Sequence, residues 1–425
     1  GDEVAKLMGI SREEFDRRFR EHNKERLADR QKLYGYRDTD PDPDPGLVRV
    51  DWVEFTGPVM PRKNAAPEIA LDASRALTSE ETWDEWLSGF IDRAFREPVA
   101  EAEKEKYALV YQKGRKKGLE HAVAARRTVS AVLVSPRFLF RSEELPPSSD
   151  EELIALTDFQ LASRLSYFLW QSCPDAELWK IATEGRLTDP QVLREQVGRM
   201  LVEKKADSFY NTFPGQWLGF EALGESVLPD RTLFPEFSVD LAEAMKNETR
   251  LLFQRVFQEN LDLLELLTAD KTHLNQVLAR HYGIPGVGTS EMELVSLSPD
   301  QQRLRGGILG MGSVLSATST PVRTSPVLRG VWIMERLLGD EPGEPPADAG
   351  ELPGNAGNRG KTLREELEIH RDREDCAFCH DKIDPLGFGL EEFDAIGRWR
   401  SAGEKGKAID ATGTLPDGTS CASFW

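Results

Sequence analysis

Only 4 cysteines and 6 histidines occur in 425 residues, too few for a disulfide scaffold or an extended metal array in a chain of this size. No apolar run reaches the roughly 20 residues that a membrane helix needs. The longest weakly polar stretch, Gly306 to Ala317, is short and rich in glycine. Basic charge is scarce as well. The chain holds 54 Lys and Arg against 73 Asp and Glu, a formal net charge of -19, which disfavours nucleic acid and anionic lipid surfaces as partners. Its one tight basic cluster, Lys113, Arg115, Lys116 and Lys117, reads as a solvated helix end. No period of 20 to 50 residues repeats, which argues against a solenoid. The chain opens Gly1-Asp2-Glu3 without an initiator methionine or a secretory signal, so it reads as a mature or excised fragment whose location must be inferred from its chemistry.

What is present is helical periodicity. The composition, 39% hydrophobic and 30% charged, is that of a globular protein with room for more than one domain. Residues 2 to about 34 suit a helix that the Asp-Pro run Asp38 to Pro45 ends. Leu47 to Phe55 alternates in valine and aromatic residues, as a strand does. From Thr78 the apolar residues Trp83, Trp86, Leu87, Phe90, Ile91, Ala94 and Phe95 recur at helical spacing, with a capping box at Thr78 and Glu81. A second helix fits Gly118 to Val134, ended by Pro136. A third opens on the capping box Thr157 and Gln160, and a further one starts at Thr188 before Asp189-Pro190. Helices are then expected at about 203–212, 238–259, 271–282, 300–316 and 326–338, the last with Pro326 in its first turn.

The resulting expectation is a mainly α fold: a multi-helix domain followed by a small cytochrome c-like segment, with a short β element near residues 47–55. The boundaries fall at 1–60 (helix, linker and strand), 61–150 (helical), 151–290 (helical) and 291–425 (C-terminal domain). A Gly-, Pro- and acid-rich linker spans 339–360 within the last of these. Thr362 to His370 suits a short helix.

The chemistry concentrates in Cys376-Ala377-Phe378-Cys379-His380. Two cysteines three apart can each add across one vinyl group of a haem, and the histidine after the second is placed to bind iron from beneath the ring. This spacing predicts one covalent haem c on Cys376, Cys379 and His380. A zinc knuckle and a Cys376–Cys379 disulfide are the alternatives; a four-ligand zinc site would need a further pair of Cys or His, and His370 alone is near. Asp384 to Gly389, which includes Pro385, reads as a turn wrapping the macrocycle, with a backbone carbonyl as acceptor for the second nitrogen of His380. Arg398, Trp399 and Arg400 are candidate propionate partners, with an exposed ion-pairing cluster as the other reading. No methionine or histidine follows His380, so a distal ligand has to come from upstream or be absent. His281 is the first candidate and Met311 the second, followed by Met334 and His370, although each is individually ordinary as a packing residue. Cys173 reads as a buried thiol and Cys421 as unpaired, with a bridge between them as the alternative. His121 reads as a surface or packed residue.

On these residues the chain resembles the large exported planctomycete proteins assembled from domains of unknown function with a cytochrome c-type haem motif. The resemblance is carried by Val50-Asp51-Trp52-Val53-Glu54, Arg93 to Pro98, Ser135 to Phe140, Ser163 to Trp170, Gln216 to Gly219, Arg323 to Val327 and, most specifically, Cys376 through Arg400. It implies a helical middle domain followed by a haem-bearing domain, a periplasmic or extracellular location, and neighbouring modules, here truncated, through which such proteins associate with carbohydrate. It implies no substrate. The leading functional reading is electron transfer with an unknown redox partner protein. A peroxidase-like haem enzyme with an open iron position and a scaffold or binding module linked to polysaccharide metabolism are the alternatives. No nucleic acid partner and no membrane span are expected.

Overall fold

The computed structural model describes residues 79–141, 155–343, 362–370, 374–403, 408–415 and 417–423, all within one compact unit, Asp72–Trp425. The expected N-terminal helix, the strand at 47–55 and most of the 339–360 linker lie outside the described residues. What is described is mainly helical with little strand, as the periodicity requires.

Four helices open it: α1 Trp83–Phe95, α2 Glu101–Lys116, α3 His121–Leu133 and α4 Pro136–Leu139. They close over their own apolar cluster of Trp83, Leu87, Ile91, Ala94, Phe95, Val99, Ala125 and Val132. The periodic residues of α1 are therefore core, as expected, with Trp86 and Phe90 packed at its margin. Thr82 rather than Thr78 precedes α1 and makes no side-chain cap. Pro136 does not simply end the preceding helix. It stands in the first turn of α4, capped by Ser135, whose hydroxyl accepts from the Phe138 N–H. The basic cluster falls at the last turn of α2, as a solvated helix end.

The next helices are α5 Asp158–Trp170, α6 Ala176–Thr183, α7 Pro190–Val202, α8 Asp207–Leu218 and α9 Val239–Gln258. Both halves of the Thr157/Gln160 capping box form on α5. Asp189, not Thr188, caps α7, accepting from the N–H groups of Gln191 and Val192. Helix α9 is the hub: Leu241, Ala242, Ala244, Met245, Leu252, Phe253 and Val256 are all buried along it. Phe209, Phe213, Phe253 and Phe257 form a cluster of tilted ring contacts at its C-terminal half.

Downstream, α10 Glu265–Thr268 leads into β1 Lys271–Leu274, α11 Gln276–Tyr282, β2 Glu293–Ser296, α12 Pro299–Arg305, α13 Gly312–Ala317 and α14 Pro326–Ile333. The single helix expected at 271–282 is instead a strand and then a helix. Thr272 and Leu274 are buried while Lys271 and His273 are less so, a period of two that pairs antiparallel with β2, Lys271 opposite Ser296. Asn275 then caps α11, its side chain accepting from the Leu278 N–H. The helix expected at 300–316 is broken in the middle. Gly307 adopts a φ of 89°, and a Cβ there would overlap the Leu267 backbone, so the chain turns where only glycine fits. Pro326 does occupy the first turn of α14, behind the cap Ser325.

Helices α15 Leu363–His370 and α16 Glu374–Phe388 complete the helical part, followed by the two-residue strands β3 Gly413–Thr414 and β4 Ser420–Cys421. Among the described residues, the segment after α16 joins the existing cores. Leu390 and Phe393 join the cluster of Leu169, Phe209, Leu252, Met311, Val314 and Trp332, and Ile396 joins that of Leu241, Met245, Leu274 and Leu278.

Candidate functional site

Cys376, Cys379 and His380 all lie on α16. Spacings of three and four residues put them on one helical face, about one turn apart. Cys376 is buried and Cys379 half-buried, and both are free thiols; the Cys379 thiol donates to the Pro342 carbonyl at 3.3 Å. The two thiols are not bridged to each other in the structure. Among the described residues no group of three or more Cys, His, Asp or Glu is arranged to hold a metal ion.

The same face continues to Ile383 and Gly387, and these explain why α16 runs on through Pro385. Pro385 removes a backbone donor, which ordinarily costs a helix about 3 kcal/mol. Here α14 compensates by close packing. A Cβ on Gly387 would overlap the Pro326 carbonyl, and one on Gly330 would overlap that of Ile383, so the two backbones touch with no side chains between them. The turn expected at Asp384 to Gly389 is accordingly displaced beyond the helix, to Gly389 through Glu392.

The acceptor for His380 is a side chain rather than the expected backbone carbonyl. Nδ1 of His380 lies 2.9 Å from Oδ1 of Asp384, one turn on in α16. Asp384 is wholly buried, and its other oxygen, Oδ2, has no hydrogen-bond partner among the described residues. A carboxylate so placed fixes the ring orientation and raises the basicity of the opposite nitrogen.

Three side chains, two of them buried, grip the chain after α16. Arg329 of α14 is fully buried and donates to the carbonyls of Leu390 at 2.6 Å, Phe393 at 3.0 Å and Asp394 at 2.9 Å. Its burial pushes its pKa down to about 10, against the pull of Glu391, so it keeps its charge at neutral pH. Arg305 donates to the carbonyls of Gly310 at 2.7 Å and Gly397 at 2.8 Å while stacked on the Tyr282 ring. His281 holds the third point, its Nε2 lying 2.8 Å from the Ile396 carbonyl. Burial pushes the His281 pKa down to about 4, so the ring is neutral and Nε2 is the donor.

These contacts locate the other candidates. The Nε2 of His281 is engaged with Ile396. Met311 is fully buried in the main core, with the Thr249 hydroxyl 3.2 Å from its sulfur. Met334 is buried at the end of α14, and the side chain of His370 lies outside the described residues. Arg398 pairs with Asp394 at 2.9 Å and with Glu236. Arg400 donates to the Glu391 carbonyl at 3.0 and 3.1 Å and to its carboxylate at 3.1 Å. Trp399 is 44% exposed and forms a β-bridge with Phe393. Pro385 packs against Gly413 of β3. Cys173 is a half-buried free thiol 3.2 Å from the Tyr167 hydroxyl, and His121 is half-buried, with Nδ1 2.9 Å from the Tyr111 hydroxyl.

A second buried polar cluster sits behind α13. Glu248 is fully buried on α9 and accepts from Thr272 at 2.7 Å and from the Tyr282 hydroxyl at 2.6 Å. Tyr282 in turn accepts from the Gly312 N–H at 2.8 Å. Desolvation pushes the Glu248 pKa up to about 7, against the lowering effect of these bonds and of Arg305. Sequence reading missed Asp384, Arg329, Arg305 and Glu248. Only Asp384 carried a visible signal, its four-residue offset from His380.

The class defined so far is a mainly helical protein presenting a C-x-x-C-H segment on one helix that is packed into the common core. Three family models match it: PSD5, protein of unknown function (DUF1595), over residues 83–143; PSD4, protein of unknown function (DUF1592), over 156–284; and PSCyt3, protein of unknown function (DUF1588), over 305–403. Together they indicate the planctomycete-type multidomain family of unknown function. No curated protein and no solved structure matches the chain. No helix among the described residues is long and apolar enough to cross a membrane.

Proposed function

We propose that this chain is an exported c-type cytochrome-like protein that carries one covalent haem and transfers electrons. The observation that carries the reading is the placement of Cys376, Cys379 and His380 on one face of α16, with His380 oriented by buried Asp384. Two free thiols one turn apart followed by an imidazole are the donor set that haem attachment requires. The orphaned Oδ2 of Asp384 supports the fit, since a buried carboxylate calls for positive charge nearby and an iron-bound imidazole supplies it. The name of the PSCyt3 model, which spans the motif, points the same way. Bound haem would supply a one-electron couple whose potential follows ligand, charge and burial.

The chain's own residues have distinct tasks in this reading. Cys376 and Cys379 tether the group, and His380 binds iron. Asp384 holds the Nδ1 proton and fixes the ring. Arg329, through its grip on Leu390, Phe393 and Asp394, anchors the segment that follows the tether. A periplasmic or extracellular location and a redox partner protein belong to the same proposal, because thioether attachment is chemistry of exported cytochromes.

An open-iron, peroxidase-like enzyme is the second reading. It is favoured by one observation: the first two of the upstream candidates, His281 and Met311, are committed to other partners. An absorption spectrum of protein matured with export and haem-attachment machinery separates the readings. Low-spin bands in both oxidation states support the electron carrier, high-spin bands support the enzyme, and colourless protein refutes both.

A further inference from the structure

We propose that the cleft between α1, α4 and α5 binds a small organic carboxylate with a ring-shaped body. The cleft has a volume of about 370 Å³ and is walled by Arg96, Arg137, Arg141, Arg164, Phe140 and Phe159. That size suits a small-molecule site, and its described lining carries four arginines against a single carboxylate in a chain whose net charge is -19.

The arginines differ in how far their charge is compensated. Arg137 pairs with both Glu97 and Glu103, and Glu97 is the one carboxylate among the described residues that line the cleft. Arg96 is only 8% exposed yet among the described residues bonds only to neutral acceptors: the Tyr167 hydroxyl at 2.9 Å, the Arg137 carbonyl at 3.0 Å and the Phe138 carbonyl at 2.7 Å. A buried cation without a carboxylate partner carries a desolvation cost that an incoming anion relieves. After these three bonds, each terminal nitrogen of Arg96 still has one of its two N–H groups to donate.

Its backbone adds weight. Arg96 caps α1 with a φ of 68°, a left-handed conformation that glycine adopts freely and that costs other residues about 1 kcal/mol. Arg141, exposed at the rim, stacks on the Tyr167 ring at 4.9 Å and has no ion-pair partner among the described residues.

The aromatic walls choose among anions. Phe140 is 65% exposed and Phe159 lines the same cleft, surfaces that an apolar ring covers and that inorganic phosphate or acetate does not. Ser163 and Gln160, also in the lining, offer polar contacts to substituents.

Calorimetric titration of the full chain with benzoate, acetate and inorganic phosphate tests this. Saturable one-to-one binding of benzoate is expected, about tenfold tighter than acetate or phosphate. Arg141→Gln, at an exposed position, should weaken it about tenfold with an unchanged Tm, and Arg141→Lys should restore only part, because the ammonium lacks the planar fork. Absence of saturable benzoate binding, equal affinity for phosphate or acetate, or unchanged affinity in both Arg141→Gln and Arg164→Gln would overturn the proposal.

Discussion

His380 and Asp384 face each other across one turn of α16, Nδ1 to Oδ1 at 2.9 Å, with the carboxylate sealed from solvent. A negative group hydrogen-bonded to an iron-binding imidazole stabilises the more positive iron state. Asp384→Asn removes that charge while keeping the shape. In matured protein the reduction potential should rise on the order of 60 mV, tenfold in electron affinity for a one-electron couple. A potentiometric titration checks this; an unchanged potential would detach Asp384 from the iron.

Gly387→Ala places a methyl group onto the Pro326 carbonyl. Backbone overlap cannot be relieved by a rotamer change, so α16 must separate from α14 and the fold should lose about 3 kcal/mol or more. Thermal unfolding reads the loss. Gly89→Ala, where nothing lies within 4 Å of the added carbon, should leave Tm the same or slightly higher.

Arg329→Ala would leave the carbonyls of Leu390, Phe393 and Asp394 without their donor in the interior. Leaving such groups unpaired, with Glu391 keeping only Arg400 of its two cations, is expected to cost about 3 to 5 kcal/mol. Chemical denaturation measures it. Arg329→Lys should recover little, since one ammonium cannot span three carbonyls.

Glu248 gives a pH signature. Its folded pKa, pushed up to about 7 from 4.5, means the folded state binds the proton more tightly than the unfolded chain. The resulting stability is full below about pH 4.5 and is lost as pH rises through about 7, a contribution on the order of 3 kcal/mol. Tyr282, Thr272 and Arg305 face this carboxyl. Glu248→Gln should flatten the alkaline fall in Tm between pH 5 and 8; a slope equal to that of the parent protein would refute the assignment.

Much of the fold is legible where periodicity and punctuation agree. The stripe of Trp83, Leu87 and Ile91, the capping box at Thr157 and the Ser325-Pro326 helix start each appear where the chain implies them. Of helix α2 only the basic end was legible, because the helix buries no residue fully. Lys271 to Leu274 misled because four residues of alternation are too short to distinguish from a helical turn. Pro385 misled because its helix is held by contacts with α14, more than 50 residues earlier. The motif residues were visible from spacing alone. Their supports, Arg329 and Arg305, were not, since an arginine destined for burial against distant carbonyls is locally indistinguishable from a surface one.

The most direct measurement is mass mapping of tryptic peptides from protein matured with haem-attachment machinery. The peptide Glu374 to Lys382 contains both thiols and His380. The account predicts that this peptide carries the added mass of one haem, with neither cysteine open to alkylation. Recovery of the same peptide with both thiols alkylated and no added group would contradict it.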